Sequence, residues 1–474
     1  MSRAINRPLH VHFVGVYGRA TGSVAVAISR SPSRWRVTGS DRAAYPPMDE
    51  YVNRSKVHVF PKHGAHNITK DIDIVVVSGH WGRRDAEVEA ALNKNIRILS
   101  LAEFAGEFLL NDTHNFVVAG TNGKSTTTAL LTWILEFAKK KPNYLIGAMA
   151  RNFPRPARFG KAAHAVLEGD EFPARFGNRN PKFLYYKPRT LLITNLARDH
   201  ADVYRDLREY VQAFLYLVDT LPSKGNLILN ADDKYSHVVA PHSKTPVTTV
   251  GFGRKADLQI TRLEFLPESI AFRFLNQDFT LPMHGRVNAH NAAMAVAAAR
   301  HAGVRPATAR RALEHFKGID ERQEFLHHSP HTPVIADHGY HPDSIADWIR
   351  SAKKHYPRKP VLVVIQPRFT GNADDYAQKD LPAALAPADR VLILPHFNNV
   401  EHEGPPFSPQ KLARDLKSLK VPAHYVANLD QLPRWLKKTA RHGDLILAAV
   451  PHSLPEAIKA ITQRARELDQ TSDA

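Results

Sequence analysis

A chain of three α/β domains, each built on a largely parallel sheet, is the fold predicted by these 474 residues. Three observations predict it. Strand-like and helix-like stretches alternate in three separate runs, as βα units do. The second run opens on an apolar strand pattern that enters a glycine-rich loop with a lysine and leaves it as a helix pattern. The length also exceeds what one hydrophobic core organises, so several domains are expected.

The first run covers residues 1–112, where "HVHFVGV", "WRVTGSD", "DIDIVVVSG" and "IRILS" read as strands and "TGSVAVAIS" and "AEVEAALNK" as helices. The second covers 113–319: "NFVVAG" leads into the loop, "TTTALLTWILEF" leaves it with helical spacing, and strands follow at "HAVLEG", "RTLLITNL" and "NLILNADD". An alanine-rich helix from about Asn288 to Ala302 closes this unit. The third, 320–474, begins after "FKGIDERQE" and carries the buried-type strands "PVIAD", "PVLVVIQ", "RVLILP" and "DLILAAVP" between helical segments. The end, "ARELDQTSDA", reads as a frayed helix and tail.

Hydrophobic residues make up 43% of the chain and charged ones 23%, as in ordinary globular proteins. No apolar stretch reaches the length of a membrane span, and the N-terminus lacks a signal-peptide core, so a cytoplasmic protein without a membrane partner is expected. With no cysteine, disulfides and thiolate metal sites are excluded. The net charge of +18 suits nucleic acid or small phosphorylated ligands. It is dispersed, with no basic stripe interleaved with aromatics, which favours nucleotide and sugar-nucleotide ligands over nucleic acid.

The chemistry begins at "VVAGTNGKSTTTALL", residues 117–131. Gly120 and Gly123 allow the amides of the loop Gly120, Thr121, Asn122, Gly123, Lys124, Ser125 and Thr126 to turn inward, and the helix start and the Lys124 ammonium add positive charge. That is a phosphate cradle, with Ser125 or Thr126 offering a hydroxyl to Mg2+. "HAVLEGDEF" delivers Glu168, Asp170 and Glu171 at a strand end, either as magnesium ligands or as a solvated acidic turn. "LLITNLARDHADVY" runs out into Asn195, Asp199, His200 and Asp202, where His200 is a metal ligand or a histidine capped by a carboxylate. "NADD" at 230–233 suits a ribose or an ordinary turn. In "HGRVNAHNAA", Asn288 and Asn291 share one helix face, as a pair for an adenine edge or as N-caps.

Taken in order and spacing, "GTNGKST", "LEGDE", "NLARDHADVY", "NADD", "GRVNAHNAA", "FKGIDER" and "ADHGYHP" resemble the Mur ligase family over nearly the whole chain. The resemblance implies ATP-dependent amide-bond formation on peptidoglycan precursors. It implies an N-terminal Rossmann-like UDP-binding domain, a central P-loop ATPase domain and a C-terminal Rossmann-like domain. By the resemblance, Lys124 is the phosphate-loop lysine, Ser125 and Glu168 bind the first magnesium, and His200 binds a second. Asn288 and Asn291 lie near adenine, Arg322 reaches the γ-phosphate, and Asp337 lies near the ribose. Gly15, Gly18 and Gly22 form the turn under the UDP diphosphate, and Ser40 and Asp41 lie on its uridine side.

Within the family, "GVYGRATGSVA", "VTGSDRAAYPPM" and "RRDAEVEAALN" resemble the branch that joins the cell-wall tripeptide L-Ala-γ-D-Glu-meso-diaminopimelate to UDP-N-acetylmuramate. The alternatives are a ligase for L-alanine or another single amino acid, and a sugar-nucleotide-binding relative without catalysis. A monomer or weak homodimer is expected. The sequence departs from the family pattern at Val287 in place of a histidine, Ser23 for a glycine, "DAE" for "NPE", Ala336 and Tyr340 near the third-domain histidines, and "AAVPHSLPE" after the last strand.

Overall fold

The computed structural model describes residues 7–470 except 45–47, 80, 198–202, 338, 340–341, 370–373 and 399–406. Its first sheet has five parallel strands in the order His58–Val59, Trp35–Ser40, Leu9–Val14, Ile74–Val77, Arg97–Ser100. The chain starts in the middle and crosses to one side and then the other. This opens a crevice at the carboxyl ends of the strands, where Gly15 and Ser40 lie.

The central sheet runs Leu258–Gln259, Val247–Gly251, Asn226–Asn230, Thr190–Ile193, His114–Ala119, His164–Glu168, Asn143–Leu145, Ala157–Arg158, parallel except at its last pair. His114–Ala119, the strand that enters the glycine-lysine loop, therefore lies between Thr190–Ile193 and His164–Glu168. Val117 and Ala119 pack on one face with Tyr210 and Phe214, and Phe116 and Val118 on the other with Leu130, Ile134 and Met294. A strand covered on both faces reads as an unbroken apolar run, which is why the sequence shows no alternation here.

The third sheet has six strands, Glu324–His327, Val334–Ala336, Leu445–Ala449, Val361–Ile365, Arg390–Ile393, Ala423–Tyr425, with only the first antiparallel. The junction is tied down, since Ile319 bridges Ala150 of the central unit and also Arg322. Among the described residues no helix is long and apolar enough to cross a membrane.

Three features differ from the sequence reading. The alanine-rich helix spans Arg286–Ala299 and tightens into a 3-10 turn over Arg300–Ala302. The last helix, Pro455–Gln470, is packed rather than frayed, with Leu468 buried and Asp469 paired to His327 at 2.8 Å. An antiparallel sheet of Thr261–Leu266, Ser269–Phe274 and Gln277–Leu281 was not anticipated. Ser269–Phe274 alternates between half-buried and buried positions, with Ile270, Phe272 and Phe274 inward, so its period of two was present to be read.

Candidate active site

The loop Gly120–Ser125 is built by close approach of backbone to neighbours. Gly123 has φ +84°, and a Cβ there would lie 2.5 Å from Asn291 Oδ1, so any other residue would strain the backbone and push the Asn291 side chain aside. Asn195 holds the loop from the flanking strand: its backbone oxygen accepts from Thr121 N at 2.9 Å and its Oδ1 from Asn122 N at 2.8 Å. Lys124 Nζ donates to Gly120 O at 2.6 Å and lies 2.9 Å from Glu171 Oε2. Burial alone would push the Lys124 ammonium down, but Glu171, Asp170 and Glu168 reverse this and raise it.

The acidic strand end divides its work. Glu168 Oε1 accepts from Ser125 Oγ at 2.9 Å and Oε2 from Gly147 N at 2.8 Å. Burial pushes its carboxyl up, opposed by Lys124 and Arg322. Asp170 instead pairs with Lys182 at 2.7 Å, and the fully buried Glu171 takes Lys124 and the Tyr210 hydroxyl. Of the three carboxylates, Glu168 alone touches the loop hydroxyl. His200, with Asp199, Asp202 and Tyr340, lies outside the described residues.

On the other wall, the first two turns of Arg286–Ala299 are buried at Asn288 and Asn291. Asn288 donates to His284 O at 2.7 Å and to Gln323 Oε1 at 3.2 Å, while Asn291 donates to Asn288 Oδ1 at 3.1 Å. The pair thus buttresses the loop as well as lining the cleft. Asp337 accepts from Gln323 N at 3.0 Å and Gly339 N at 2.6 Å, and burial pushes its carboxyl up against the charge of Arg322. Asp232 of "NADD" accepts from Phe252 N and Gly253 N, an ordinary turn role, but also lines the cleft.

Thr121 to Thr126, Glu168, Asn288, Asn291, Arg322 and Asp337 border one cleft of about 710 Å³ between the central and third units. Ser344 of the third unit reaches Asn122 Oδ1 at 3.3 Å, so that unit rests against the loop. The sequence reading missed Arg286, whose guanidinium lies 3.6 Å over the Phe252 ring at the cleft wall. The signal was present, since Arg286 belongs to "GRVNAHNAA" and Phe252 directly follows the strand Val247–Gly251.

The turn of the first unit stands apart from this cleft. Gly15 N and Val16 N donate to Ser40 O at 2.9 and 3.0 Å, Gly18 caps the helix Arg19–Ser29, and Gly22 N donates to Gly18 O. Asp41 Oδ2 accepts from Tyr17 N at 2.9 Å, and burial pushes its carboxyl up. Ser40 is buried, its hydroxyl committed to Glu87 and within 3.0 Å of His63 Nδ1. Beside it Arg42 lies 4.3 Å over Trp81 and 2.9 Å from Asp85, a constellation the sequence reading did not single out.

Comparison with known proteins agrees with this architecture. Residues 10–113 match the profile described as Mur ligase family, catalytic domain, residues 118–299 the Mur ligase middle domain, and residues 321–449 the Mur ligase, glutamate ligase domain. The UDP-N-acetylmuramate--L-alanyl-gamma-D-glutamyl-meso-2,6-diaminoheptandioate ligase of Escherichia coli (strain K12) is 30% identical over 446 residues, 93% of this chain and 94% of that protein. A murein peptide ligase from Psychrobacter arcticus has a solved structure with TM-score 0.70 and 25% identity, covering 96% of this chain and 98% of that one. The UDP-N-acetylmuramate-alanine ligase of Thermotoga maritima shares the fold at TM-score 0.78 and 23% identity, covering 98% and 100% of the two chains. Three matched domains in family order, a relative aligned over almost the full length and the phosphate loop at the cleft together show that this chain belongs to the Mur ligase family.

Proposed function

We propose that the protein joins UDP-N-acetylmuramate to the tripeptide L-alanyl-γ-D-glutamyl-meso-diaminopimelate in an ATP-dependent reaction of peptidoglycan metabolism. One observation supports this most strongly: Lys124, Ser125 and Glu168 from the central unit, Arg322 from the junction and Asp337 from the third unit line the same cleft. The choice of acceptor is supported by the full-length likeness to the Escherichia coli ligase named for that tripeptide.

A carboxylate and a triphosphate repel each other, so the first requirement is positive charge around the terminal phosphate. The loop amides and Lys124 receive the phosphates from one side and Arg322 from the other, while Asn288, Asn291 and the Arg286–Phe252 stack border the nucleoside end. Attack of the lactyl carboxylate on the γ-phosphorus transfers the phosphoryl group, releases ADP and leaves an acyl phosphate. The acceptor amine then attacks the carbonyl, the C–N bond forms, a proton leaves the nitrogen and phosphate departs. Ser344 on Asn122 holds the third unit over this site, which limits the water that would hydrolyse the mixed anhydride.

The hydroxyl of Ser125 beside the half-buried Glu168 carboxylate is a hard-oxygen pair suited to Mg2+. When bound, such an ion neutralises phosphate charge. His200 would serve a second ion by family resemblance.

The test offers alanine, serine, glycine and the tripeptide separately with ATP, Mg2+ and UDP-N-acetylmuramate, and identifies conjugates by mass. The tripeptide conjugate is expected to dominate. Efficient conjugation of L-alanine with none of the tripeptide would reassign the acceptor.

A further inference from the structure

We propose that Arg19 is a positioning residue that links the seating of the sugar nucleotide in the first unit to the phosphoryl-transfer groups of the other two. This rests on the function proposed above and deepens it. Arg19 begins the helix Arg19–Ser29 directly after Gly18, at the amide-rich turn assigned to the diphosphate. Its side chain leaves that unit altogether. Nη2 lies 3.2 Å from Glu321 Oε2 in the junction, and Nη1 approaches Gly147 O of the central unit at 3.5 Å, the limit of a hydrogen bond.

Each contact is one step from a group of the cleft. Gly147 N donates to Glu168 Oε2 at 2.8 Å, and a Cβ on Gly147 would lie 2.5 Å from Glu168 Oε1, so this backbone is pressed against the carboxylate. Glu321 directly precedes Arg322 and sits at φ +60°, an uncommon conformation for a residue with a side chain. A framework holds it there: its N donates to Glu324 Oε2 at 2.8 Å, and its Oε1 accepts from His452 N at 2.7 Å. His452 Nε2 in turn lies 2.9 Å from Glu324 Oε2, and Arg151 ties Glu324 and, at 2.8 Å, Asp320. The departure "AAVPHSLPE" thus places His452 where it braces the carboxylate that Arg19 grips.

The Glu321 side chain is 7% exposed and fixed, whereas Arg19 is 37% exposed at the rim. The mobile partner is therefore the guanidinium. A diphosphate seated at the Gly18 turn brings a second anion to it, so Arg19 divides between ligand and Glu321, and the placement of Arg322 depends on whether the turn is filled. The arrangement requires reciprocity: the sugar nucleotide changes nucleotide affinity by the same factor as the nucleotide changes sugar-nucleotide affinity.

The experiment measures the Kd of a non-hydrolysable ATP analogue with Mg2+, in the absence and presence of saturating UDP-N-acetylmuramate. It uses the wild type, Arg19→Ala, Glu321→Gln, their combination and Arg19→Lys. In the wild type the sugar nucleotide is expected to change the Kd by about tenfold. Arg19→Ala and Glu321→Gln are each expected to reduce that factor to near one, the double variant to go no further, and Arg19→Lys to restore part of it. A merely structural role would lower the melting temperature and leave the ratio intact. If Arg19→Ala does not fold, the same ratio in Glu321→Gln decides. Wild-type coupling retained in the variants, or a wild type that binds both ligands without coupling, overturns the inference alone. A wild type that does not bind UDP-N-acetylmuramate overturns the ligase reading and this inference with it.

Discussion

Lys124 shows how one residue serves both fold and chemistry. Its ammonium is the counter-charge of Glu171, which is wholly buried, so Lys124→Ala removes more than a phosphate ligand. Breaking a buried pair by deleting one partner costs about 3–5 kcal/mol. Lys124→Ala is therefore expected to abolish ATP-dependent turnover and also to lower the melting temperature, and adding Glu171→Gln is expected to recover the melting temperature without the turnover. Turnover in either variant, measured as phosphate release, would remove Lys124 from the reaction. Lys124, Ser125 and Glu168 were legible in the sequence because a strand end and a glycine loop fix where they point. The pairing of Glu171 was not, since an acidic residue at a strand end serves a metal or a lysine equally well. Arg19 was beyond reach, because its partner stands 302 positions away.

At the scale of elements, the antiparallel sheet Thr261–Leu281 is where the third unit docks. His355, at the end of the helix Pro342–His355, accepts at Nε2 from Gly285 N at 2.9 Å and donates from Nδ1 to Leu266 O at 2.6 Å. His284 stacks on it at 3.9 Å between centroids and donates to Pro267 O at 2.6 Å. Phe325 and Tyr356 pack on His284 and Phe265 on His355, with Lys354 over the Phe265 ring and His328, paired to Glu268, stacked on Phe325. Burial, and the charge of His355, push the His284 imidazole down to about 3; burial also lowers His355, against its bond to Leu266 O.

A histidine depressed on folding contributes stability that is present above its ordinary value near 6.5 and is lost as the pH falls toward the folded value. Docking of the third unit is thus expected to loosen on acidification below about pH 6, seen as a fall in hydrogen-exchange protection factors over 261–285. His355→Phe keeps the stack but leaves Gly285 N without its acceptor. A cost of about 1–3 kcal/mol and a flatter acid dependence are expected. Protection factors unchanged from neutral pH down to about 4 would detach the histidines from docking. The parallel strands were readable from apolar runs such as Val361–Ile365, buried at every position. Thr261–Leu266 is mostly exposed, which muted the pattern of the sheet that receives the third unit.

Across the whole molecule, the three alternating runs made the order of domains legible, whereas the contacts that assemble the cleft depend on side chains far apart in sequence. Ser344 on Asn122, His355 on Gly285 and Arg19 on Glu321 each join two units, and although Asn122, Gly285 and Glu321 lie in motifs, no spacing in the sequence names their partners. The net charge of +18 fits substrates that carry a triphosphate, a diphosphate and several carboxylates.

What unites these observations is activation of an acid by transfer of a phosphoryl group within a cleft drawn from two units. The most direct test supplies UDP-N-acetylmuramate labelled with oxygen-18 in its lactyl carboxylate, together with ATP, Mg2+ and the tripeptide, and weighs the phosphate released. Phosphate carrying one labelled oxygen is the expected result, because the carboxylate oxygen stays on phosphorus when the amide forms. Conjugate formed with unlabelled phosphate would contradict the account.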